Sequence, residues 1–173
     1  MPKCPILIDG ATVVCSVVLD ASRHRYTGSV VLRDGDREQR WFHGLAIARY
    51  PDSKDAYLFY CDSDWDTEND SLYSSVEEAI TYATQQFGVT QDDWVAELHL
   101  ARDPDRFRQI AESFQSLLGG EWTAQLDGLD QSYWDLSTSG GVVTVHREHY
   151  LGVSAWGPLS LIDRIRLHLK TPA

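Results

Sequence analysis

The chain reads as an α+β protein: mainly antiparallel sheet, in one or more sheets, with about three helices packed on one side. Two observations predict this. Apolar and β-branched runs cluster at the start and in the last third, and helical periodicity appears in three separate blocks. Grouped strands and grouped helices, without strict alternation, favour antiparallel pairing over a parallel βαβ sheet.

In chain order, residues 12–19 and 28–33 are β-branched and apolar, and Asp34-Gly35-Asp36 is a turn signal between two runs. Residues 41–50 and 56–61 are two further strand candidates, parted by Pro51-Asp52-Ser53-Lys54-Asp55, a loop composition. A four-strand meander is therefore expected. Ser75 with Glu78 three residues on forms a capping-box pattern, and Val76, Ala79, Ile80, Ala83 and Phe87 recur at helical spacing up to a stop at Gly88. Residues 94–100 suit either a short strand or an extended connection. Asp103-Pro104 opens a second helix, with Phe107, Ile110, Ala111, Phe114, Leu117 and Leu118 as its stripe. Residues 122–126, 133–138, 142–146 and 151–156 read as strands, the middle pair joined at Ser139-Gly140-Gly141, and residues 158–170 as a closing helix. Two portions result: a meander plus helix over 1–100, and helix, three to four strands and helix over 101–173. The alternative is a single domain in which both share one core.

With 173 residues, 43% hydrophobic and 24% charged, the composition is that of a globular protein. The formal net charge is −11, and residues 51–100 carry twelve acidic groups against one basic. Such a balance argues against nucleic-acid or membrane-surface binding, which needs concentrated basic groups. Arg33, Arg37 and Arg40 are diluted by Asp34, Asp36 and Glu38. Pro2, Pro5, Asp9 and Gly10 interrupt the apolar start, so a signal peptide is not expected. Cys4, Cys15 and Cys61 are odd in number with no C-x-x-C pair, a usage suited to reduced thiols in the cytoplasm.

Five acidic residues stand at every second position, Asp62, Asp64, Asp66, Glu68 and Asp70, around Trp65. The first three match the opening ligand positions of an EF-hand loop. Thr67 then occupies the position that needs Gly, and Tyr73 the one that needs a bidentate Glu. If extended, the run would put all five carboxylates on one face, neighbours roughly 7 Å apart and within a Debye length of about 10 Å. Like charge so close costs self-repulsion unless water or a cationic partner surrounds it. Asp62, Asp64, Trp65, Asp66, Glu68 and Asp70 are the candidate partner-binding set. Trp65 is the discriminator: exposed, it is an interface anchor; buried, it is core.

Other constellations fall short of chemistry. His146-Arg147-Glu148-His149 fits neither helical zinc motif, because it ends a β-branched strand. Gly152-Val153-Ser154-Ala155-Trp156 has Trp where a nucleophile elbow needs Gly. Cys61 beside Asp62 sits in an acidic setting that opposes thiolate formation. No phosphate-cradling glycine loop occurs. No catalytic residue, metal or cofactor is expected, and the alternative kept is a metal-dependent hydrolase using acidic residues with His146 or His149. Self-association through Trp65 or Trp134 is a third class.

The segment Tyr57-Leu58-Phe59-Tyr60-Cys61-Asp62-Ser63-Asp64-Trp65, followed by Ser74-Ser75-Val76-Glu77-Glu78-Ala79, resembles small bacterial proteins of toxin and immunity loci. Leu129-Asp130-Gln131-Ser132-Tyr133-Trp134-Asp135-Leu136, with residues 146–152, resembles similar immunity-like proteins, and together these cover about a third of the chain. The resemblance implies a cytoplasmic inhibitor that binds a cognate toxin; the charge imbalance around Trp65 adds the expectation of a non-enzymatic protein that meets a basic protein partner through the 62–70 face.

Overall fold

The computed structural model describes residues 3–25, 29–33, 36–40 and 42–170. It is α+β and mainly antiparallel, and the chain divides into two compact units, Met1–Trp94 and Val95–Ala173. Among the described residues no helix is long and apolar enough to cross a membrane.

The first unit contains β1 (Leu7–Ile8), β2 (Ala11–Val18), β3 (Ser29–Arg33), β4 (Asp36–Arg40), β5 (Gly44–Arg49), β6 (Ala56–Cys61), β7 (Thr67–Tyr73) and helix α1 (Val76–Phe87). Its strands run in the order β7-β6-β5-β2, antiparallel throughout, with β1 folded back on β2. β3 and β4 form a separate two-stranded ribbon. The expected meander is thus corrected: β5 follows β2 in the sheet, and the run at 29–33 pairs with β4. The strand Asp-Arg-Glu-Gln-Arg of β4 has no apolar set to bury, whereas Leu45, Ala46, Ile47 and Ala48 of β5 are apolar on both faces and fully buried. Gly28, the Asp34-Gly35 part of the turn signal and Trp41 lie outside the described residues.

Both faces of this sheet are covered. On one, Leu45, Ile47, Leu58 and Tyr60 lie on the side of α1, which packs on β6 and β7 and brings Phe87 to 6.0 Å from the Tyr60 ring. On the other, Ala46, Ala48, Phe59 and Cys61 form a cluster with Ile8, Ala11 and Trp65. A register shift between Val13 and Cys15 of β2 turns Val13 to the second face and Cys15 to the first.

The capping of α1 follows the sequence with one adjustment. Ser75 Oγ accepts from the Glu78 N–H at 3.1 Å, while Glu78 Oε2 reaches one residue further back than a strict capping box. It accepts from the Ser74 N–H at 2.9 Å and the Ser74 hydroxyl at 2.7 Å. These bonds hold the Glu78 carboxyl below its ordinary range. Gly88 ends the helix in the left-handed region, φ 71°, donating to Thr84.

The second unit contains β8 (Val95–Ala101), α2 (Phe107–Leu118), β9 (Glu121–Asp127), β10 (Gln131–Thr138), β11 (Gly141–Glu148), β12 (Gly152–Pro158) and α3 (Leu159–Lys170). Its strands run β8-β12-β11-β10-β9, all antiparallel. The ambiguous stretch at 94–100 is therefore a strand, β8. Asp103 caps a single 3-10 turn, Pro104–Arg106, accepting from the Asp105 N–H at 3.0 Å, and α2 proper starts at Phe107. α2 packs on β10 and β11, and α3 on β12 and β8. Trp134, Leu136, Val143, Val145 and Ala155 are buried on one face with Phe107 edge-on to Trp134 at 5.1 Å. Gly152, φ 92°, lets β12 approach β8: a Cβ there would stand 2.1 Å from the Ala101 carbonyl oxygen.

Ser75→Ala removes the acceptor for an otherwise orphaned N–H at the start of α1. Urea denaturation should register a loss of about 1 kcal/mol, with the m-value unchanged.

Candidate functional site

The acidic run spans two structures. Residues 62–66 are a tight turn out of β6, and Glu68 and Asp70 belong to β7. Asp62 builds the turn: its Oδ1 accepts from the Asp64 N–H at 2.8 Å and the Asp66 N–H at 3.0 Å. The Asp62 N–H donates to the Asp66 carbonyl at 3.1 Å, and the Trp65 N–H to the Asp62 carbonyl at 3.3 Å. The extended strand starts at Thr67, so the conditional single face of five carboxylates is not formed. Asp62 spends its charge on its own backbone, and a β-bulge opposite Tyr60 and Cys61 shifts the phase again at Glu68.

Trp65 takes the opposite course from its acidic neighbours. Its backbone is left-handed, φ 70°, and it is 5% exposed, within the cluster of Phe59, Cys61 and Ile8. By the criterion set above it is core and not an exposed anchor, which corrects its place among the partner-contacting candidates. Trp134 is buried too. Asp64, Asp66 and Asp70 are exposed, and Asp62 and Glu68 half-buried. Among the described residues no Lys or Arg forms an ion pair with Asp64, Asp66 or Asp70. β7 stands at the end of the strand order, and there it carries Glu68 and Asp70.

The acidic turn has a consequence for the thiol beneath it. Burial pushes the Cys61 pKa up to about 12, and Cys4, Asp62, Asp9 and Asp66 add to the effect. Such a thiol is not a nucleophile near neutrality.

The other candidates separate in the fold. The His146 ring stacks on Tyr133 at 4.3 Å and meets Trp156 at 5.6 Å, whereas His149 lies beyond the end of β11 against Tyr150. Among the described residues no three His, Cys, Asp or Glu side chains group to hold a metal ion. Ser154 lies inside β12, paired to β11 and β8, so no elbow presents it.

One cluster in the first unit escaped sequence reasoning. His24, 6% exposed, accepts the Asp20 N–H on Nδ1 at 2.8 Å and presents Nε2 to Asp93 Oδ2 at 3.5 Å. Arg23 pairs with the other oxygen of Asp93. Burial alone would raise the Asp93 carboxyl, but bonds from the Thr90 hydroxyl and N–H, with Arg23 and His24, bring it below its ordinary value. Thr90-x-x-Asp93 has capping-box spacing, the one local signal that marked it. The cluster locks residues 20–25 to the segment after α1, where the Arg25 N–H also donates to the Phe87 carbonyl at 2.6 Å.

No protein-family model, no curated protein and no solved structure matches the chain.

Two outcomes follow from the turn. Asp62→Ala leaves two backbone N–H groups without their acceptor and should lower stability by about 2 kcal/mol in chemical denaturation, whereas Asp62→Asn, which keeps an acceptor oxygen, should cost markedly less. A pKa moved from 9.0 to about 12 reduces the thiolate fraction near neutrality about a thousandfold. Alkylation mapped by mass spectrometry should therefore leave Cys61 unlabelled in the native protein and label it in denaturant.

Proposed function

We propose that the protein is a non-enzymatic binding protein of the bacterial cytoplasm. It is an immunity-type inhibitor that engages a basic protein through the acidic turn and edge strand at residues 62–70. One observation carries the reading: Asp64, Asp66 and Asp70 are exposed and without an ion-pairing Lys or Arg among the described residues. They lie in the segment whose excess of acidic groups equals the net charge of the chain. An uncompensated field of this kind speeds encounter with a cationic surface and rejects acidic ones. The contact is electrostatic, made by carboxylates on a scaffold that Asp62 and the buried Trp65 hold rigid. The resemblance of residues 57–65 and 74–79 to immunity-type proteins supports the same reading.

The position of β7 favours a second reading. A strand at the end of a sheet offers unpaired N–H and C=O groups to other chains, and charge along it prevents such pairing. Glu68 and Asp70 would then guard the edge against self-association.

The triple variant Asp64→Asn, Asp66→Asn, Asp70→Asn separates the two, since all three side chains are exposed. Stopped-flow association with a basic protein captured on the immobilised chain should slow about tenfold at low ionic strength, with a flatter salt dependence. Unchanged rate and salt slope would sink the recognition reading. Unchanged kinetics with concentration-dependent aggregation would favour the guarded edge.

A further inference from the structure

In the second unit an open pocket of about 330 Å³ is lined by Pro104, Asp105, Phe107, Arg108, Asp127, Ser132 and Arg147. This volume is in the range of small-molecule sites, and the pocket lies outside the acidic run altogether. Arg147 is half-buried and has no ion-pairing carboxylate among the described residues. Its Nη2 donates to the carbonyls of Gly128 at 2.8 Å and Leu129 at 3.4 Å, which fixes the guanidinium plane. Its Nε is buried without a partner. A half-buried guanidinium that has carbonyl acceptors but no carboxylate partner keeps donor capacity for an anion.

The neighbouring groups suit such a visitor. Ser132, opposite Arg147 in the register and 2% exposed, lines the pocket. Arg108 extends over the Trp134 ring, 5.6 Å from its centroid, with its Nη2 only loosely paired to Asp127 Oδ2 at 3.8 Å. Asp127 Oδ1 is taken by the Trp134 indole N–H at 3.0 Å. Pro104 and Phe107 give an apolar wall.

We propose that this pocket binds a carboxylate, held by Arg147 and Ser132 with Arg108 closing over it. A carboxylate fits better than a phosphate because Asp105 and Asp127 share the lining. Two Arg against two Asp leave no net positive charge, and a dianion would face both carboxylates at close range. With Nη2 committed to the 128–129 carbonyls, Arg147 offers its Nη1 group to one carboxylate oxygen, and the Ser132 hydroxyl and the Arg108 guanidinium supply further donors. The carboxylate can belong to a free small acid or to the C-terminus of a peptide.

The test uses the full chain, isotope-labelled, following the Trp134 indole N–H resonance by NMR. N-acetylglycine and trialanine should each shift it saturably, while N-acetylglycinamide, which lacks the charge, should not. Tighter binding of trialanine assigns the site to a chain end and the reverse assigns it to a small acid; both uphold the pocket. Arg147→Gln should weaken binding about tenfold or more. Because Arg147 also braces the 128–129 carbonyls, the exposed Arg108→Gln serves as a second variant that keeps the fold and should weaken binding in the same direction. The proposal is overturned if neither carboxylate gives a saturable shift, if the amide binds as well, if inorganic phosphate binds more tightly than N-acetylglycine, or if both variants bind with unchanged affinity.

Discussion

The carboxylate of Asp62, accepting two backbone N–H groups, is the bond on which the first unit's architecture turns. Without it, residues 62–66 would have no reason to leave the β6 line so sharply, and Trp65 would have no reason to adopt φ 70°. A left-handed non-glycine residue costs about 1–3 kcal/mol, and truncation of a buried Trp costs about 3–5 kcal/mol. The ring therefore outweighs the strain. The turn is a device that puts one large apolar side chain under the sheet while the residues around it stay wet.

This arrangement resolves the tension of clustered like charge. Asp62 is turned onto the Asp64 and Asp66 N–H groups, and Glu68 is set out of phase by the bulge. Asp64, Asp66 and Asp70 are left facing water. The fold tolerates the repulsion because solvent screens the exposed groups and because Trp65 and Phe59 anchor the segment from below. Packing and exposure thus divide within nine residues: Trp65 is buried, and Asp64, Asp66 and Asp70 face solvent, where the proposed recognition would need them.

Much of the fold was legible in the chain. α1 was marked by Ser75, Glu78 and Gly88, the last-third strands by alternation, and α3 by Leu161, Ile162, Ile165 and Leu169, of which the first three are buried and Leu169 is exposed. Edge elements were not. β7, Thr-Glu-Asn-Asp-Ser-Leu-Tyr, lacks apolar alternation because one side of it meets water, and its pairing is supplied by β6. β4 was missed because Asp-Arg-Glu-Gln-Arg carries no apolar residue, and its pairing is supplied by β3. In the candidate site, the alternation of acids was visible, but its conformation was not. Period two would set the acids on one face only if the run were extended, and the Asx-type bonds of Asp62, which depend on three-dimensional closure, fold its first half into a turn.

The pocket of the second unit was illegible for a different reason. Arg108, Ser132 and Arg147 are separated in sequence, and each alone is unremarked: an exposed helix residue, a strand serine, the middle of a His-Arg-Glu-His run whose histidines drew attention instead. Antiparallel pairing of β10 with β11 sets Ser132 against Arg147, and α2 lays Arg108 on Trp134. In that run the strand period turns His146 toward Tyr133 and Trp156 and sends Arg147 to the opposite face. The same alternation that ruled out paired imidazoles on a helix face therefore positions the guanidinium beside a buried hydroxyl.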